Sequence, residues 1–217
     1  LIMNGFKEQR LNMVERQLKA RDITDENVLK AMSEVPREKF VSKKLVNRAY
    51  DDSSLPIGSS QTISQPYMVA LMLQSLKPQE DDIILDIGTG SGYAAALLAE
   101  IAAEVYTIER IEELALKARK VLSDLDYRNV KVKLGDGSLG WEENAPYDAI
   151  VVSAAAPYAP EKLVEQLEKG GKIVIPIGER GGIQQLKLLK KKYNGKIKEK
   201  NLEYVRFVPL LGEDSWK

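Results

Sequence analysis

The sequence predicts an α/β fold: a doubly wound, mostly parallel sheet of about seven strands with a helical N-terminal extension. Three observations support this prediction. From residue 83 onward, short apolar runs alternate with stretches of helical length. A glycine-rich turn at residues 88–92 joins the first of these runs to its helix. Near the end, Asn194-Gly195 separates two further apolar segments and predicts a hairpin that closes the sheet.

The first 80 residues are predicted to be mainly helical. Apolar residues at helical spacing indicate a helix from Asn4 to about Ala20. Thr24 is predicted to cap a second helix that runs to Ser33, before Val35-Pro36 ends this region. The polar, turn-rich stretch from Asp51 to Gln65 predicts a long loop, and such loops are usually functional or disordered. A helix over 66–77 follows, with its proline in the first turn.

The second part of the chain supplies the alternating elements. The predicted strands cover 83–87, 105–108, 130–134, 149–152, 173–177, 185–191 and 202–208. The predicted helices cover 93–101, 111–124 and 160–168. Strands that alternate with helices form a parallel sheet, and ligands bind such sheets at the carboxyl ends of the strands.

The composition excludes several classes of function. The 32 basic residues equal the 32 acidic ones, so we expect no nucleic-acid partner. Lysines flank Asn194-Gly195, either as a solvated hairpin edge or as a binding patch. The absence of Cys and His excludes disulfides, a cysteine nucleophile and a Ser-His triad, and we expect no metal. Without an apolar run of membrane length or a signal peptide, we expect no membrane partner and a cytoplasmic location.

The most informative single motif is Asp86-Ile87-Gly88-Thr89-Gly90-Ser91-Gly92. Its glycines allow a tight turn and let a ligand approach bare backbone N–H groups at the start of a helix. The dinucleotide pattern requires a glycine at its sixth position, where this chain has Tyr93, so the spacing disfavours NAD. The motif predicts a nucleoside site, with an ordinary tight turn as the alternative.

Two acidic residues lie where a nucleoside site needs them. Glu109 ends the second strand of the predicted sheet, the usual place for a carboxylate that binds ribose hydroxyls. Asp136, in Gly135-Asp136-Gly137, follows the third strand and is placed to meet an adenine amino group. Glu109 alone is more typical of a surface ion pair, but three coordinated positions favour the nucleoside interpretation.

This arrangement resembles class I S-adenosylmethionine-dependent methyltransferases, and further blocks narrow the resemblance to the protein-L-isoaspartate O-methyltransferase family. These blocks occur in family order from residue 35 to 210: Val35 to Val41, Gln61-Thr62-Ile63-Ser64-Gln65-Pro66, Ile87 to Tyr93, Gly135-Asp136-Gly137, Tyr147 to Ile150, Ala154-Ala155-Ala156-Pro157 and Val205-Arg206-Phe207-Val208-Pro209-Leu210. The resemblance implies a Rossmann-like methyltransferase fold. It also implies methylation of the α-carboxylate of L-isoaspartyl residues in damaged proteins and peptides, the first step of repair through a succinimide.

The resemblance also implies roles for individual residues. S-adenosylmethionine would contact Asp86, Gly88, Thr89, Gly90, Ser91, Gly92, Glu109, Asp136 and Gly137. Ser64 would be catalytic, donating its hydroxyl to the acceptor carboxylate, with a helix N-cap as the alternative. The substrate would contact Gln61, Thr62, Ile63, Ala154, Ala155, Pro157, Arg206 and Val208. A structural turn is an equally good interpretation of 154–157, and an ordinary edge strand is the alternative for Arg206 and Val208.

The chain departs from the family pattern beside the implied acceptor site. Gln65-Pro66-Tyr67 stands where many relatives have Ala-Pro-His, and Ser59-Ser60 stands where they have an aromatic residue or His. These departures leave open which side chains hold the peptide. Tyr67 is expected to shape the pocket with Ile63.

The domain and the alternatives follow from the resemblance. We expect one methyltransferase domain over 1–217, with 1–80 as the helical extension and substrate-side loop and 81–217 as the cofactor-binding core. Two other functions stay open: a class I methyltransferase for a small molecule or RNA, and a non-catalytic nucleoside-binding protein. The oligomeric state cannot be read from the sequence.

Overall fold

The N-terminal region is helical, as predicted. The computed structural model describes residues 2–217; residue 1, which the predicted domain includes, lies outside them. Helix α1 (Ile2–Met13) continues into a π-helical turn, Val14–Lys19, and α2 covers Glu26–Glu34. The predicted Thr24 cap is wrong, because Asp25 Oδ1 accepts the Val28 N–H at 3.1 Å. The Thr24 N–H instead donates to Gln74 Oε1 at 3.0 Å, so a tertiary contact decides between two good capping residues.

The predicted loop at 51–65 contains a small two-stranded sheet. Strands β1 (Leu55–Gly58) and β2 (Gln61–Ile63) pair antiparallel, and we call residues 55–63 the N-terminal hairpin. Its tip places Ser59 and Ser60 at φ +50° and +57°, a conformation that serine rarely adopts, which is why the turn carries no clear sequence signal. Helix α3 (Pro66–Leu76) follows directly, with proline in its first turn as predicted.

The main sheet has seven strands, which confirms the predicted fold class. They are β3 (Ile83–Ile87), β4 (Glu104–Glu109), β5 (Val130–Leu134), β6 (Tyr147–Val152), β7 (Leu167–Gly178), β8 (Gln184–Lys191) and β9 (Ile197–Val205). Their order is β5-β4-β3-β6-β7-β8-β9. The first five strands are parallel, β8 pairs antiparallel with β7, and β9 pairs antiparallel with β8. Lys192 and Lys196 close the predicted hairpin with a 2.8 Å backbone hydrogen bond.

Three helices connect the parallel strands: α4 (Tyr93–Ala99), α5 (Glu112–Asp124) and α6 (Glu161–Gln166). Helix α6 ends earlier than predicted because Leu167 already pairs with Tyr147 in the sheet. Successive side chains of β3 point to opposite faces, so Ile84 joins one buried cluster and Leu85 the other. The first cluster also contains Leu18, Val28 and other residues of the N-terminal helices. The N-terminal region therefore packs onto one face of the sheet.

The strand order determines where a ligand can bind. The chain leaves β3 to form β4 on one side and later returns to form β6 on the other, so the order reverses at β3. A crevice opens at such a reversal, beyond the carboxyl ends of the strands. The glycine turn follows β3 at this position. Within residues 2–217, no helix is both long enough and apolar enough to cross a membrane.

Candidate active site

The glycine turn after β3 has the backbone that its sequence predicts. Gly88, Gly90 and Gly92 have φ values of +90°, +53° and +89°, in the region that residues with a Cβ rarely adopt. The Gly88 and Thr89 N–H groups donate to the Ile108 carbonyl at 2.9 and 3.2 Å, which anchors the turn to β4. Gly92 begins α4, and a Cβ there would lie 3.3 Å from Leu122 Cδ1. The third glycine thus also permits close packing of α4 against α5.

Glu109, at the end of β4, is buried and held from two sides. Its Oε2 accepts the Gly90 N–H and its Oε1 accepts the Ile111 N–H, both at 2.9 Å. The side chain lines the same cavity as the glycine turn. Each carboxylate oxygen has more than one acceptor position, so both can still accept a hydroxyl hydrogen. This geometry suits a ligand with two adjacent hydroxyls, such as a ribose.

Asp86 lies behind the turn, outside the cavity lining. It is completely buried, Oδ2 accepts the Thr107 hydroxyl at 2.8 Å, and Oδ1 has no hydrogen-bond partner in the described part of the chain. Burial raises the pKa of Asp86 from 3.8 to about 7, and the nearby Glu109 charge acts in the same direction. Thr107 also shares a 2.6 Å hydroxyl contact with Thr89. Asp86 therefore supports the glycine turn through Thr107 and Thr89, and its predicted contact with the cofactor stays a prediction.

Asp136 has partners other than the predicted adenine. Oδ1 accepts the Ser138 N–H and hydroxyl at 2.9 and 2.7 Å, and Oδ2 accepts the Glu213 N–H at 2.7 Å. The Asp214 N–H donates to Ser138 Oγ at 3.0 Å, which adds a second tie to the C-terminal segment. A Cβ on Gly212 would come within 2.1 Å of Asp136 Oδ1, so only glycine fits there. Gly137, rather than Asp136, lines the cavity.

The N-terminal hairpin covers the glycine turn. Ile57 Cδ1 lies 3.4 Å from the position that a Gly90 Cβ would occupy, and the Ser59 hydroxyl donates to Glu113 Oε2 on α5 at 3.2 Å. The hairpin brings Gln61, Thr62 and Ile63 to the cavity, and Ser64 follows them on the same wall. The alternative role of Ser64 as a helix cap is not realised, because Gln65 occupies the N-cap position and no side chain caps α3.

Gln65 and Tyr67, the positions that depart from the family pattern, lie beside this wall and do not line the cavity. Gln65 Nε2 donates to Asp52 Oδ1 at 2.7 Å, and the Tyr67 hydroxyl donates to Asp22 Oδ1 at 2.8 Å. The Arg21 guanidinium lies 3.4 Å from the centre of the Tyr67 ring. Both side chains therefore fasten the start of α3 to the N-terminal region. The sequence-based expectation that Tyr67 shapes the pocket holds only indirectly.

The opposite wall is formed where the segment after β6 meets the segment after β9. Ala155 exchanges backbone hydrogen bonds with Val208 and Leu210, at 2.8 and 2.7 Å. Ala154 and Val208 line the cavity. Ala155 and Pro157 do not, and the exposed Arg206 lies outside the lining as well. Ala155 therefore joins the two segments through its backbone, and any substrate contact by Pro157 or Arg206 would lie beyond the cavity.

The cavity combines residues from distant parts of the chain. Of the predicted site, it is lined by Gln61, Thr62, Ile63, Ser64, Gly88, Thr89, Gly90, Ser91, Glu109, Gly137, Ala154 and Val208. It also includes residues to which the sequence assigned no role, among them Val69, Tyr93, Ile111, Ser153 and Leu211. Apart from Ser153, these residues carry no signature of a site role in a single sequence. Ser153 was detectable in principle, since it directly follows a strand that ends at the ligand-binding edge.

Known sequences are similar to this chain over nearly its whole length. Residues 8–215 match the family model described as protein-L-isoaspartate(D-aspartate) O-methyltransferase. A protein-L-isoaspartate O-methyltransferase of Petrotoga mobilis is 52% identical over 215 residues, covering 99% of this chain and 100% of that protein. The enzyme of the same name from Syntrophus aciditrophicus is 47% identical and covers 99% of both chains.

Comparison with solved structures gives the same result. A protein-L-isoaspartate O-methyltransferase superposes with a TM-score of 0.86 at 26% identity, covering 96% of this chain and 67% of that one. A Plasmodium falciparum protein described by the same activity was solved with S-adenosyl-L-homocysteine. It superposes with a TM-score of 0.80 at 30% identity, covering 93% of this chain and 98% of that one. With residues 8–215 matched by the family model and relatives matched over nearly the whole chain, the chain belongs to the protein-L-isoaspartate(D-aspartate) O-methyltransferase family.

Proposed function

We propose that the chain transfers a methyl group from S-adenosylmethionine to the α-carboxylate of L-isoaspartyl residues in damaged proteins and peptides. One observation carries the proposal: a single cavity is lined by the glycine turn and Glu109 and also by the Thr62 to Ser64 segment. A nucleoside site and a site for an acceptor group are therefore adjacent. The alternatives, a small-molecule or RNA methyltransferase and a non-catalytic nucleoside-binding protein, gain no support from an observation of their own.

The cofactor end of the cavity fits S-adenosylmethionine. Glu109 presents two oriented acceptor oxygens for the ribose hydroxyls, and the glycine turn exposes backbone to the ligand. When bound, S-adenosylmethionine supplies a methyl group that its sulfonium already activates. The protein must then hold the cofactor, align the acceptor and exclude water.

The acceptor end needs no general base. A carboxylate is ionised at neutral pH and is itself the nucleophile, which suits a chain without His or Cys. We assign to the Ser64 hydroxyl the donation of a hydrogen bond to one acceptor oxygen, which orients the other oxygen for attack. Gln61 and Thr62 are assigned to the substrate backbone, with Ile63, Ala154 and Val208 as the apolar walls.

The methyl ester that forms is more reactive than the carboxylate. The next backbone amide nitrogen of the substrate displaces methanol and closes a succinimide, which water opens partly to a normal aspartyl residue. The enzyme thus begins the repair and hydrolysis completes it. This chemistry requires no further residue of the protein.

Three features of the proposal stay predictions. The chain is predicted to form a single domain, and the buried cluster that the N-terminal helices share with the sheet supports this prediction. Isoaspartyl proteins are its expected partners, without nucleic acid or membrane. A cytoplasmic site of action is expected from the sequence.

The test uses two peptides that differ only in the linkage of one aspartyl residue. With a labelled methyl donor, the isoaspartyl peptide should acquire base-labile label, and its normal aspartyl twin should not. Small-molecule and RNA acceptors are offered in parallel. Equal labelling of the two peptides, or labelling of only the other acceptors, would reject the proposed substrate. Binding of S-adenosylhomocysteine without any turnover would favour a non-catalytic protein.

A further inference from the structure

Arg37 connects the acceptor segment to the N-terminal region. Its Nη2 donates to the Ser64 carbonyl at 2.8 Å, and its Nε donates to the Ala49 carbonyl at 2.7 Å. The two acceptors lie 27 and 12 residues from Arg37 in sequence, so the contact is tertiary on both sides. One planar side chain thus holds the backbone of Ser64, the residue whose hydroxyl is assigned to the acceptor carboxylate.

The burial of Arg37 is unusual for a charged residue. The side chain is 0% exposed, and none of the ion pairs in the described part of the chain includes it. Its Nη1 has no hydrogen-bond partner among the described residues. The guanidinium lies 4.8 Å from the centre of the Tyr93 ring, whose face attracts cations. Burial lowers the pKa of Arg37, which reflects the free-energy cost of keeping a cation there.

An apolar side chain of similar volume would fill this position without that cost. What it would lack is the pair of hydrogen bonds, each made by a different nitrogen of a rigid fork. Arginine can span two carbonyls in a fixed relative geometry, whereas the single ammonium of lysine cannot reproduce that spacing. The geometry of the two hydrogen bonds to the Ser64 and Ala49 carbonyls therefore explains an arginine at this position better than its charge does.

We propose that Arg37 is a positioning residue for methyl transfer: it fixes the Ser64 backbone so that the Ser64 hydroxyl meets the acceptor carboxylate. This inference rests on the proposed role of Ser64. Arg37 does not itself line the cavity, so it acts through Ser64 and not on the substrate. A purely structural role would lower stability and cofactor affinity together, whereas a positioning role lowers kcat selectively.

The test compares Arg37→Lys and Arg37→Met with the parent enzyme. Lysine keeps the charge and methionine keeps much of the volume. If one variant folds poorly, the other can still be measured. For a variant that folds, kcat on an isoaspartyl peptide should fall about 10- to 100-fold, since small displacements of aligned groups have effects of this size. The KM for each substrate and the Kd for S-adenosylhomocysteine should stay within about threefold of the parent.

Lys172→Met is the matched control. Lys172 Nζ donates to the Leu76 carbonyl at 2.6 Å, so it is also a cation bound to a backbone carbonyl, but at the far end of α3, the helix that follows Ser64. Its loss should lower stability without changing kcat. A comparable fall in kcat in this control would show that any loosening of α3 impairs the enzyme, and would overturn the specific role of Arg37.

A double variant tests whether Arg37 acts through the Ser64 hydroxyl or independently of it. If Arg37 acts through the Ser64 hydroxyl, Arg37→Lys combined with Ser64→Ala should be within about twofold of Ser64→Ala alone. The proposal would be overturned if the kcat losses of the two single variants multiplied in the double variant, or if Arg37→Lys kept the parental kcat. It would also be overturned if S-adenosylhomocysteine binding weakened in proportion to kcat, or if neither Arg37 variant folded. A fully active Ser64→Ala would instead refute the role of Ser64, so the two failures are distinguishable.

Discussion

The Gly90 N–H donates a 2.9 Å hydrogen bond to Oε2 of Glu109, so one carboxylate joins the glycine turn to the strand beside it. The other oxygen of Glu109 holds the Ile111 N–H, at the entry to α5. The group assigned to the ribose therefore also orders the backbone around it. Cofactor affinity should therefore depend on Glu109 both for the ribose contact and for the order of the glycine turn.

Glu109→Ala should weaken S-adenosylhomocysteine binding by about 1 to 3 kcal/mol, the cost of losing charge-assisted hydrogen bonds. Isothermal calorimetry measures the change directly. Glu104→Ala is the control, since Glu104 lies at the opposite end of β4 and pairs with Lys131 at the surface. Identical dissociation constants for the parent and Glu109→Ala would remove Glu109 from the cofactor site.

Ser64→Ala should lower kcat about 100-fold, the usual effect of deleting one donor to a reacting oxygen, and should leave S-adenosylhomocysteine binding unchanged. Ser75→Ala removes a hydroxyl from α3, the helix that follows Ser64, where Ser75 donates to the Leu71 carbonyl, and should retain full activity. Steady-state rates on the isoaspartyl peptide provide the measurement. Parental turnover in Ser64→Ala would exclude the hydroxyl from the reaction.

Asp86→Asn should change how stability depends on pH. The folded-state pKa of Asp86 is raised to about 7, so between about pH 4 and 7 the folded protein keeps a proton that the unfolded chain releases. Stability attributable to Asp86 therefore falls as pH rises through this window, and the penalty is complete above pH 7. Asparagine has no such titration, so the stability of the variant relative to the parent should rise across the window by several kcal/mol.

Urea unfolding of Asp86→Asn and parent at intervals from pH 4 to 8 tests this expectation. Only the difference between the two curves is interpreted, because every other titrating group is common to both. Parallel curves would show that Asp86 titrates near its ordinary value in the folded protein.

Gly212→Ala should release the C-terminal segment. The added Cβ would lie 2.1 Å from Asp136 Oδ1 and 2.4 Å from Ser138 Oγ, so the segment must move and lose its hydrogen bonds to both side chains. We expect a loss of stability of about 1 to 3 kcal/mol and faster amide exchange over residues 211–217. Weaker S-adenosylhomocysteine binding should follow, since Leu211 lines the cavity.

Gly5→Ala serves as the control for Gly212→Ala. Among the residues that the structure describes, nothing lies within 4 Å of a Cβ on Gly5, which is in a helix, so alanine there should be neutral or stabilising. Protection of residues 211–217 that is unchanged in Gly212→Ala would contradict the predicted displacement.

The sheet could be predicted from the sequence because its signals are local. The apolar runs that become β3 and β5 match the observed strands residue for residue, and the glycine motif lies in the turn where its spacing places it. The family blocks added the acceptor segment, which no periodicity would have identified. Strand and helix identity thus followed from neighbouring residues alone.

What the sequence could not supply depends on contacts between distant residues. The sequence does not predict that Glu213, which is 77 residues away, donates its N–H to the Asp136 carboxylate, and the adenine contact of Asp136 stays a prediction. The sequence predicts a loop in place of the N-terminal hairpin because Ser59 and Ser60, and not an Asn-Gly pair, occupy the two positive-φ positions at its tip. Arg37 gave no signal of its role, since its two carbonyl partners are brought together only by the fold.

The N-terminal hairpin has a consequence for how this enzyme can diversify. The same short ribbon contributes Gln61 to Ile63 to the acceptor wall and presses Ile57 toward Gly90. In the proposed arrangement, a mutation that reshapes the hairpin to admit a different peptide would also alter how it covers the nucleoside. Selection on substrate preference and selection on cofactor retention therefore act on the same segment. A large change in one property would require a compensating change in the other.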